Sequence, residues 1–209
     1  NAQLERLAES SARQRREYRM FKRGFDIAVS LLLLPILVQI ALILLILNPF
    51  LNRGRLFYLQ ERMGLGCRPF RTIKFRTMIA APKIARGPYD PPELHRITSL
   101  GRLLRRTRVD ELPQIINVLK GEMSLIGPRP DYIVHARRYL TEIPGYRQRH
   151  VMRPGISGLA QITVGYVDTA EGVRAKTEAD LYYIRNASVL VDCRIALRTL
   201  LTVIRGLGT

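Results

Sequence analysis

At 209 residues with a formal net charge of +17, the chain is long enough for one full hydrophobic core, and its length gives no reason to split it. Positive charge on this scale calls for an anionic partner, which leaves nucleic acid, acidic lipid headgroups or a phosphorylated substrate. Cys67 and Cys193 stand far apart with no CxxC, which argues against a disulfide framework and suits a reducing cytoplasm.

The chain opens at Asn1 without a methionine and reads as a trimmed protein or a piece of a longer one. Residues 1–24 are expected to form a basic helix, with Arg13, Arg15, Arg16, Arg19, Lys22 and Arg23 along it. It runs directly into an apolar stretch, residues 25–50. No small-residue cleavage pattern follows that stretch, so a signal peptide fits poorly.

At ~1.5 Å per residue, Ile27–Leu47 is just long enough to cross a hydrocarbon layer of ~30 Å. A single spanning anchor is therefore one reading. Two observations favour another. Both flanks are basic, with Arg53, Arg55, Arg62 and Arg68 on the far side, so both ends look cytoplasmic. Pro35 sits in mid-segment, where it removes a donor and crowds the carbonyl of Leu31. The expectation is a re-entrant membrane helix broken at Pro35, with arms Phe25–Leu34 and Ile36–Leu47 too short to cross alone. Asp26 at the membrane edge is expected to pair with Lys22 or Arg23, or to cap the structure there.

Residues 51–209 are then expected to lie together on the cytoplasmic side, as the domain that carries any catalysis. Leu56–Gln60 and Phe70–Met78 read as two strands around a turn at Met63-Gly64-Leu65-Gly66. Alternation puts Thr72, Lys74 and Arg76 on one face, which is either solvated or functional. Residues 80–93, rich in proline and glycine, read as a mobile loop. Thr98 or Ser99 caps a short basic helix ending at Arg106. A second helix is expected to begin near Asp110, with Leu112, Ile115, Ile116 and Leu119 as its apolar stripe and Gly121 after its end. Residues 132–142 and 170–186 read as helices, and Val189–Ile204 as a core helix or one lying on a membrane surface. The fold class is α+β, mostly helical with a small β-hairpin, a re-entrant N-terminal membrane helix and surface-associated amphipathic helices.

The chemistry concentrates in residues 105–130. Asp110 and Glu111 follow Arg105, Arg106 and Arg108, and a stiff arm, Gly127-Pro128-Arg129-Pro130, comes after them. At a helix start, amid arginines, both carboxylates are expected to be ionised. Such a carboxylate can act as nucleophile or metal ligand, and Mg²⁺ suits a site of one or two carboxylates plus phosphate oxygens. Arg105, Arg129 and Arg153 have the reach to bind phosphate oxygens in pairs. Helix capping with exposed arginine–carboxylate pairs is an equal reading on spacing alone. His95, His135 and His150 show no metal-ligand spacing and are assigned to the surface or to local hydrogen bonding. Neither GxxxxGK[ST] nor GxGxxG occurs, so no P-loop or Rossmann turn is written here.

Several longer stretches carry a resemblance. Lys22-Arg23-Gly24-Phe25-Asp26, Lys74-Phe75-Arg76-Thr77-Met78 and Asp110-Glu111-Leu112-Pro113-Gln114 come first. Asn117 to Ser124, Gly127-Pro128-Arg129-Pro130 and Arg153 to Gln161 follow. In that order, over about residues 21–205, the chain resembles the monotopic phosphoglycosyl transferases of the bacterial sugar transferase family.

The resemblance implies a re-entrant helix in the bacterial inner membrane and an active site on the cytoplasmic face. It implies a transfer of sugar-1-phosphate from a UDP-sugar to polyprenyl (undecaprenyl) phosphate, with UMP released, at the start of exopolysaccharide or other glycoconjugate synthesis. Asp110 would form a covalent phosphosugar intermediate, Glu111 would support Mg²⁺ or orient phosphates, and Arg105, Arg129 and Arg153 would hold phosphate oxygens, with Lys74 and Arg76 as further candidates. Metal ligands would be Asp110 and Glu111. Partners would be the UDP-sugar, polyprenyl phosphate and membrane lipid, with a homodimer left open. The chain departs from the family where Leu34, not serine, precedes Pro35, and where Ile162-Thr163-Val164-Gly165-Tyr166 follows Gln161.

Rival readings have less behind them. Nucleic-acid binding rests on charge alone and lacks interleaved aromatics. A non-catalytic membrane-attached module that binds anionic lipid remains the alternative.

Overall fold

The computed structural model describes residues 2–80, 87, 89–90, 93–165 and 169–204, with the side chains of 2–15 and of 204 excepted. Most of the loop expected at 80–93, and Tyr166, lie outside the described residues.

The first element is a helix, α1 (Ala2–Leu51), which takes in both the basic N-terminal segment and the apolar run. Pro35 lies inside α1, so the two arms expected on either side of it form one helical element. The buried positions show how the helix is used. Asp26, Ser30, Leu37, Leu44, Asn48 and Asn52 are buried, and at ~100° per residue they fall within an arc of about 80°. The stripe keeps its phase across Pro35, which sits on the opposite, exposed side. That opposite side carries Leu31, Leu32, Ile36, Val38, Leu42, Ile43, Leu45, Ile46 and Phe50, all exposed. Among the described residues α1 is the one helix long and apolar enough to cross a membrane, yet only 17 % of its most apolar stretch is buried. A core helix would be mostly covered, so the outer face of α1 is suited to lipid.

Polar contacts pin α1 to the rest of the chain at both ends. Asp26 accepts the backbone N–H of Leu125 (3.1 Å) in place of the expected pairing with Lys22 or Arg23. Arg23 donates to the carbonyls of Val118 (2.6 Å) and Leu119 (3.0 Å). Lys22 and Tyr18 both reach Asp192. At the other end Asn52 donates to the carbonyl of Arg76 (2.7 Å).

The expected hairpin is present as β1 (Phe57–Met63) and β2 (Pro69–Phe75), antiparallel with Tyr58 opposite Lys74 and Gln60 opposite Thr72. α2 (Ser99–Arg106) has Thr98 as its cap, the side chain accepting from Gly101 N–H (3.0 Å). Gly101 lets α2 meet the end of the hairpin, since a Cβ there would stand 2.0 Å from the carbonyl oxygen of Thr77. α3 (Gln114–Leu119) is followed by Gly121 at φ +82. Two short strands, β3 (Ser124–Ile126) and β4 (Gly155–Ser157), pair in parallel. The helices α4 (Ile133–Glu142), α5 (Leu159–Thr163), α6 (Ala170–Asn186) and α7 (Val189–Ile204) complete the fold.

Leu37 and Leu44 of α1 pack with Phe75, Leu104 and Ile115 in one cluster. A second gathers Met63, Ile133, Tyr139, Tyr146 and Val173, and a third Ile126, Tyr183 and Ile195. The first cluster seats α2, α3 and β2 directly on α1. α7 buries Ile195 while Leu190, Leu197, Leu200 and Leu201 stay exposed, as an amphipathic surface helix does.

Candidate active site

Asp110 and Glu111 do not open an α-helix. They lie in a 3-10 turn, Val109–Glu111, that ends before α3 begins at Gln114. Pro113 between the two lacks a donor and starts the helix afresh. The turn is entered through Arg108 in the left-handed region at φ +58, a conformation that costs a non-glycine residue free energy and tends to be kept at functional sites. Both carboxylates are buried, at 8 % and 6 % exposure.

Glu111 is the centre of a cation cluster. Lys74 Nζ lies 2.6 Å from Oε1. Arg129 forks onto both oxygens, NH1 to Oε2 at 3.0 Å and NH2 to Oε1. Arg108 stands 3.9 Å away. Burial works to raise the Glu111 pKa, but Arg129 and Lys74 outweigh it and hold the carboxyl well below its ordinary range. Burial pushes Lys74 down to about 8, against the pull of Glu111.

Asp110 has a different environment. Burial is the largest influence and raises its pKa, Glu111 adds to the rise, and Lys74, Arg105 and Arg129 oppose it. The nearby cations thus hold the Glu111 carboxyl down, whereas at Asp110 burial outweighs them and shifts the pKa upward. The Oδ1 atom of Asp110 is buried and has no hydrogen-bond partner among the described residues. Adjacent carboxylates whose environments push them apart are suited to different roles.

β2 brings Lys74 to the pair, and the strand face carrying it is not solvated. Thr72 is fully buried and donates to the carbonyl of Gln60 (3.0 Å). Asn117 of α3 fixes the strand against the turn that bears Asp110 and Glu111, accepting from Ile73 N–H (3.0 Å) and donating to the carbonyl of Arg71 (2.7 Å). Arg105 is held by Thr77 Oγ1 (3.0 Å) and Met78 Sδ (3.2 Å).

Two sequence candidates are placed elsewhere. Arg76 spends its guanidinium on the carbonyls of Asn52, Arg55 and Met78, closing the end of α1. Its hydrogen-bonding capacity is used by the backbone, so the structure gives it a structural task. Arg153 donates Nε to the carbonyl of Gly121 (2.8 Å), beyond the far end of α3.

The arm Gly127–Pro130 owes its position to glycines. A Cβ on Gly155 would lie 2.1 Å from Gly127 N, and one on Gly158 would lie 2.3 Å from Gly127 O. The β3–β4 ladder closes only because three backbones can touch there.

Sequence reasoning missed several contributors. Arg62 donates to the carbonyl of Pro130 and to Gln60 Oε1 (2.8 Å), and burial and the nearby Arg129 lower its pKa to about 10. Asp131 accepts from Tyr146 (2.7 Å), Arg149 and Lys176. Arg149 also pairs with Asp180 (2.6 Å). A charged residue directly after the arm was the one available signal. His150, expected at the surface or in local hydrogen bonding, is buried, and burial pushes it down to about 4.

Among the described residues no group of three or more His, Cys, Asp or Glu side chains could hold a metal. The carboxylate pair meets the needs of Mg²⁺ in part. Asp110 offers a free buried oxygen, and a hard ion can be held by one carboxylate plus substrate oxygens. Glu111 already has cations on both oxygens and fits an orienting role better than a ligand role.

Comparison with known proteins agrees with this geometry. The family model described as "Bacterial sugar transferase" matches residues 17–206. A UDP-N-acetylgalactosamine-undecaprenyl-phosphate N-acetylgalactosaminephosphotransferase of Aeromonas hydrophila is 40% identical over 191 residues, 91% of this chain and 45% of that one. A UDP-glucose:undecaprenyl-phosphate glucose-1-phosphate transferase of Escherichia coli (strain K12) is 40% identical over 197 residues, 90% of this chain and 40% of that one. The exopolysaccharide production protein PSS of Rhizobium leguminosarum bv. phaseoli is 40% identical over 199 residues, covering 90% of this chain and 98% of that one. The chain thus spans less than half the length of the first two relatives and nearly all of the third. A family match over almost every residue, with the buried Asp110–Glu111 pair inside it, places the chain in the bacterial sugar transferase family.

Proposed function

We propose that the protein transfers a sugar-1-phosphate from a UDP-sugar to polyprenyl phosphate at the cytoplasmic face of the bacterial inner membrane, an initiating step of exopolysaccharide or other glycoconjugate synthesis. The observation that carries this reading is the buried, unpartnered Oδ1 of Asp110 beside a carboxylate locked by Lys74 and Arg129. The activities that name the relatives, on undecaprenyl phosphate with UDP-N-acetylgalactosamine or UDP-glucose, point the same way.

In the first step Asp110 Oδ1 attacks the sugar-bearing phosphorus of the donor. The bond from that phosphorus to the bridging oxygen breaks, and UMP leaves with the oxygen and its electron pair. An oxygen of polyprenyl phosphate then attacks the same phosphorus. The Asp110 ester bond breaks and the carboxylate is regenerated. Division into two displacements lowers each barrier.

The side chains have separable tasks. Lys74, Arg105 and Arg129 surround Asp110 with positive charge, where it offsets the negative charge of the transferring phosphoryl group. Glu111 holds the Lys74 and Arg129 donors in place before substrate arrives. Burial excludes water, which would otherwise hydrolyse the phosphosugar. Mg²⁺, when bound by Asp110 and the donor phosphates, would supply further charge neutralisation. The exposed apolar faces of α1 and α7 seat the site at the leaflet from which a lipid phosphate arrives, and a re-entrant path for α1 keeps both of its pinned ends on one side.

The test is UMP release from UDP-glucose and UDP-N-acetylgalactosamine with undecaprenyl phosphate, together with intact mass after incubation with donor alone. Addition of a hexose phosphate to the parent, absent from Asp110→Asn, is expected. Turnover by the Asp110→Asn protein would overturn the reading, as would turnover by a parent that never gains that mass.

A further inference from the structure

Arg129 can grip Glu111 only if the backbone that carries it is fixed, and Arg129 lies in a proline-flanked arm. The flanks of the arm are held by the strand pair, through Gly127 N–H to the Ser157 carbonyl (2.8 Å) and Gly155 N–H to the Pro128 carbonyl (3.0 Å), and by Arg62 at the Pro130 carbonyl. The carbonyl of Arg129 between them is taken by a side chain 20 residues further along the chain.

Arg149 NH2 donates to the carbonyl of Arg129 (2.8 Å). Its NH1 pairs with Asp131, on the other side of Pro130. One guanidinium therefore spans Pro130 and holds both its neighbours. Arg149 is itself held. It is 1 % exposed, pairs with the fully buried Asp180 of α6 at 2.6 Å, and lies 5.0 Å from the centre of the Tyr146 ring. Lys176, one turn before Asp180 on α6, completes the group by pairing with Asp131. Two cations face two carboxylates, a balance that lets Arg149 and Asp180 stay fully buried.

We infer that Arg149 is a positioning residue for the reaction, transmitting the placement of α6 through the Arg129 carbonyl to the fork on Glu111. The inference rests on the catalytic reading of Asp110 and Glu111, but the geometry it concerns can be measured without turnover. A planar guanidinium is required because a lysine, with one nitrogen, keeps the charge and cannot reach the carbonyl, Asp131 and Asp180 together.

The experiment is a double-mutant cycle in the full chain, using Arg149→Lys and Arg129→Ala. UMP release is followed with whichever of UDP-glucose or UDP-N-acetylgalactosamine the parent turns over. Arg149→Lys is expected to melt near the parent and to lose about ten- to hundredfold in kcat with little change in KM, the scale of a slight misplacement at a reacting centre. In the Arg129→Ala background the same substitution should change kcat less than about twofold, because coupled residues fail to add. Equal loss in both backgrounds would mean a general structural role and would overturn the inference.

A second readout is independent of activity. The side-chain ¹⁵N signals of Arg129, assigned by their loss in Arg129→Lys, should be split in the parent by the fork on Glu111 and averaged in Arg149→Lys. Unchanged splitting in the folded variant would also overturn the inference. A parent without turnover on either donor would refute the proposed activity and leave this spectroscopic test standing. Should Arg149→Lys fail to fold, Asp180→Asn serves in its place. Burial already raises the Asp180 pKa, so the neutral isostere is the milder change and should give the same non-additive pattern at smaller size.

Discussion

Lys74 Nζ and Glu111 Oε1, 37 residues apart in the chain, meet at 2.6 Å in the interior of the site. Their ion pair is 14 % and 8 % exposed at the side chains, and Glu111 shares itself between Lys74 and Arg129. Lys74→Met leaves Glu111 with the Arg129 fork and removes a charge that burial disfavours, so the fold should lose less than about 1 kcal/mol, well under the cost of leaving a buried charge alone. Glu111→Gln, which takes the shared carboxylate from both cations, should cost more. Denaturant melts of the two variants check it.

The same lysine sets the alkaline edge of activity. With Lys74 held down to about 8 by burial, its positive charge disappears from the site as pH passes that value. Its folded pKa lies below its unfolded one, so the unfolded chain binds more protons between about 8 and 10.5. Stability from this group therefore rises with pH in that window while activity falls. A pH–rate profile should show the fall, and Lys74→Arg should move it to higher pH.

Asp110→Asn should abolish UMP release, by at least about a thousandfold for loss of a nucleophile, and yet stabilise the fold. Burial raises the Asp110 pKa. The folded state then binds the proton more tightly than the unfolded state, and stability from this residue falls as pH rises through the carboxylate range. At neutral pH the variant should melt above the parent, and at acid pH the difference should shrink. Thermal melts at both pH values check it.

Gly155→Ala places a methyl group 2.1 Å from a backbone nitrogen. Neither strand of the β3–β4 pair can give way without moving Gly127 and the arm behind it. A loss of at least about 3 kcal/mol is expected, at the upper end of overpacking costs, measured by melting or by the soluble yield in detergent.

The path of α1 can be read by labelling. Arg16 and Arg53 are exposed on either side of the apolar run, whereas Asn52 is buried and bonded. With Cys67 and Cys193 replaced by serine, Arg16→Cys and Arg53→Cys should both react from the cytoplasmic side of intact inverted vesicles. Reaction from opposite sides would show that the helix crosses.

Local signals carried most of the element pattern into the sequence. The hairpin, the Thr98 cap and the helices α4, α6 and α7 were legible because alternation, capping and apolar spacing are short-range. Motif and charge marked Asp110, Glu111, Lys74 and Arg129 for one site, with the two cations expected on substrate phosphates and not, as found, on Glu111. Three features were not legible. Pro35 argued for two helical arms, whereas they form one helical element with a single buried stripe from Asp26 to Asn52, which only the packing reveals. The upward pKa shift of Asp110 comes from burial, which residue order does not disclose. Arg76 looked like a phosphate ligand because its neighbour two places back is one of the site cations, yet its partners are carbonyls that only the fold brings near.

Arg76, just past the end of β2, ties the exit of α1 to that strand, and Lys74 lies two residues back along it. With α1 in a bilayer as proposed, a change of thickness that shifts its depth is expected to reach Lys74 beside the two carboxylates. Turnover in vesicles of graded acyl-chain length should pass through an optimum, and cutting that tie with Arg76→Ala should flatten the curve.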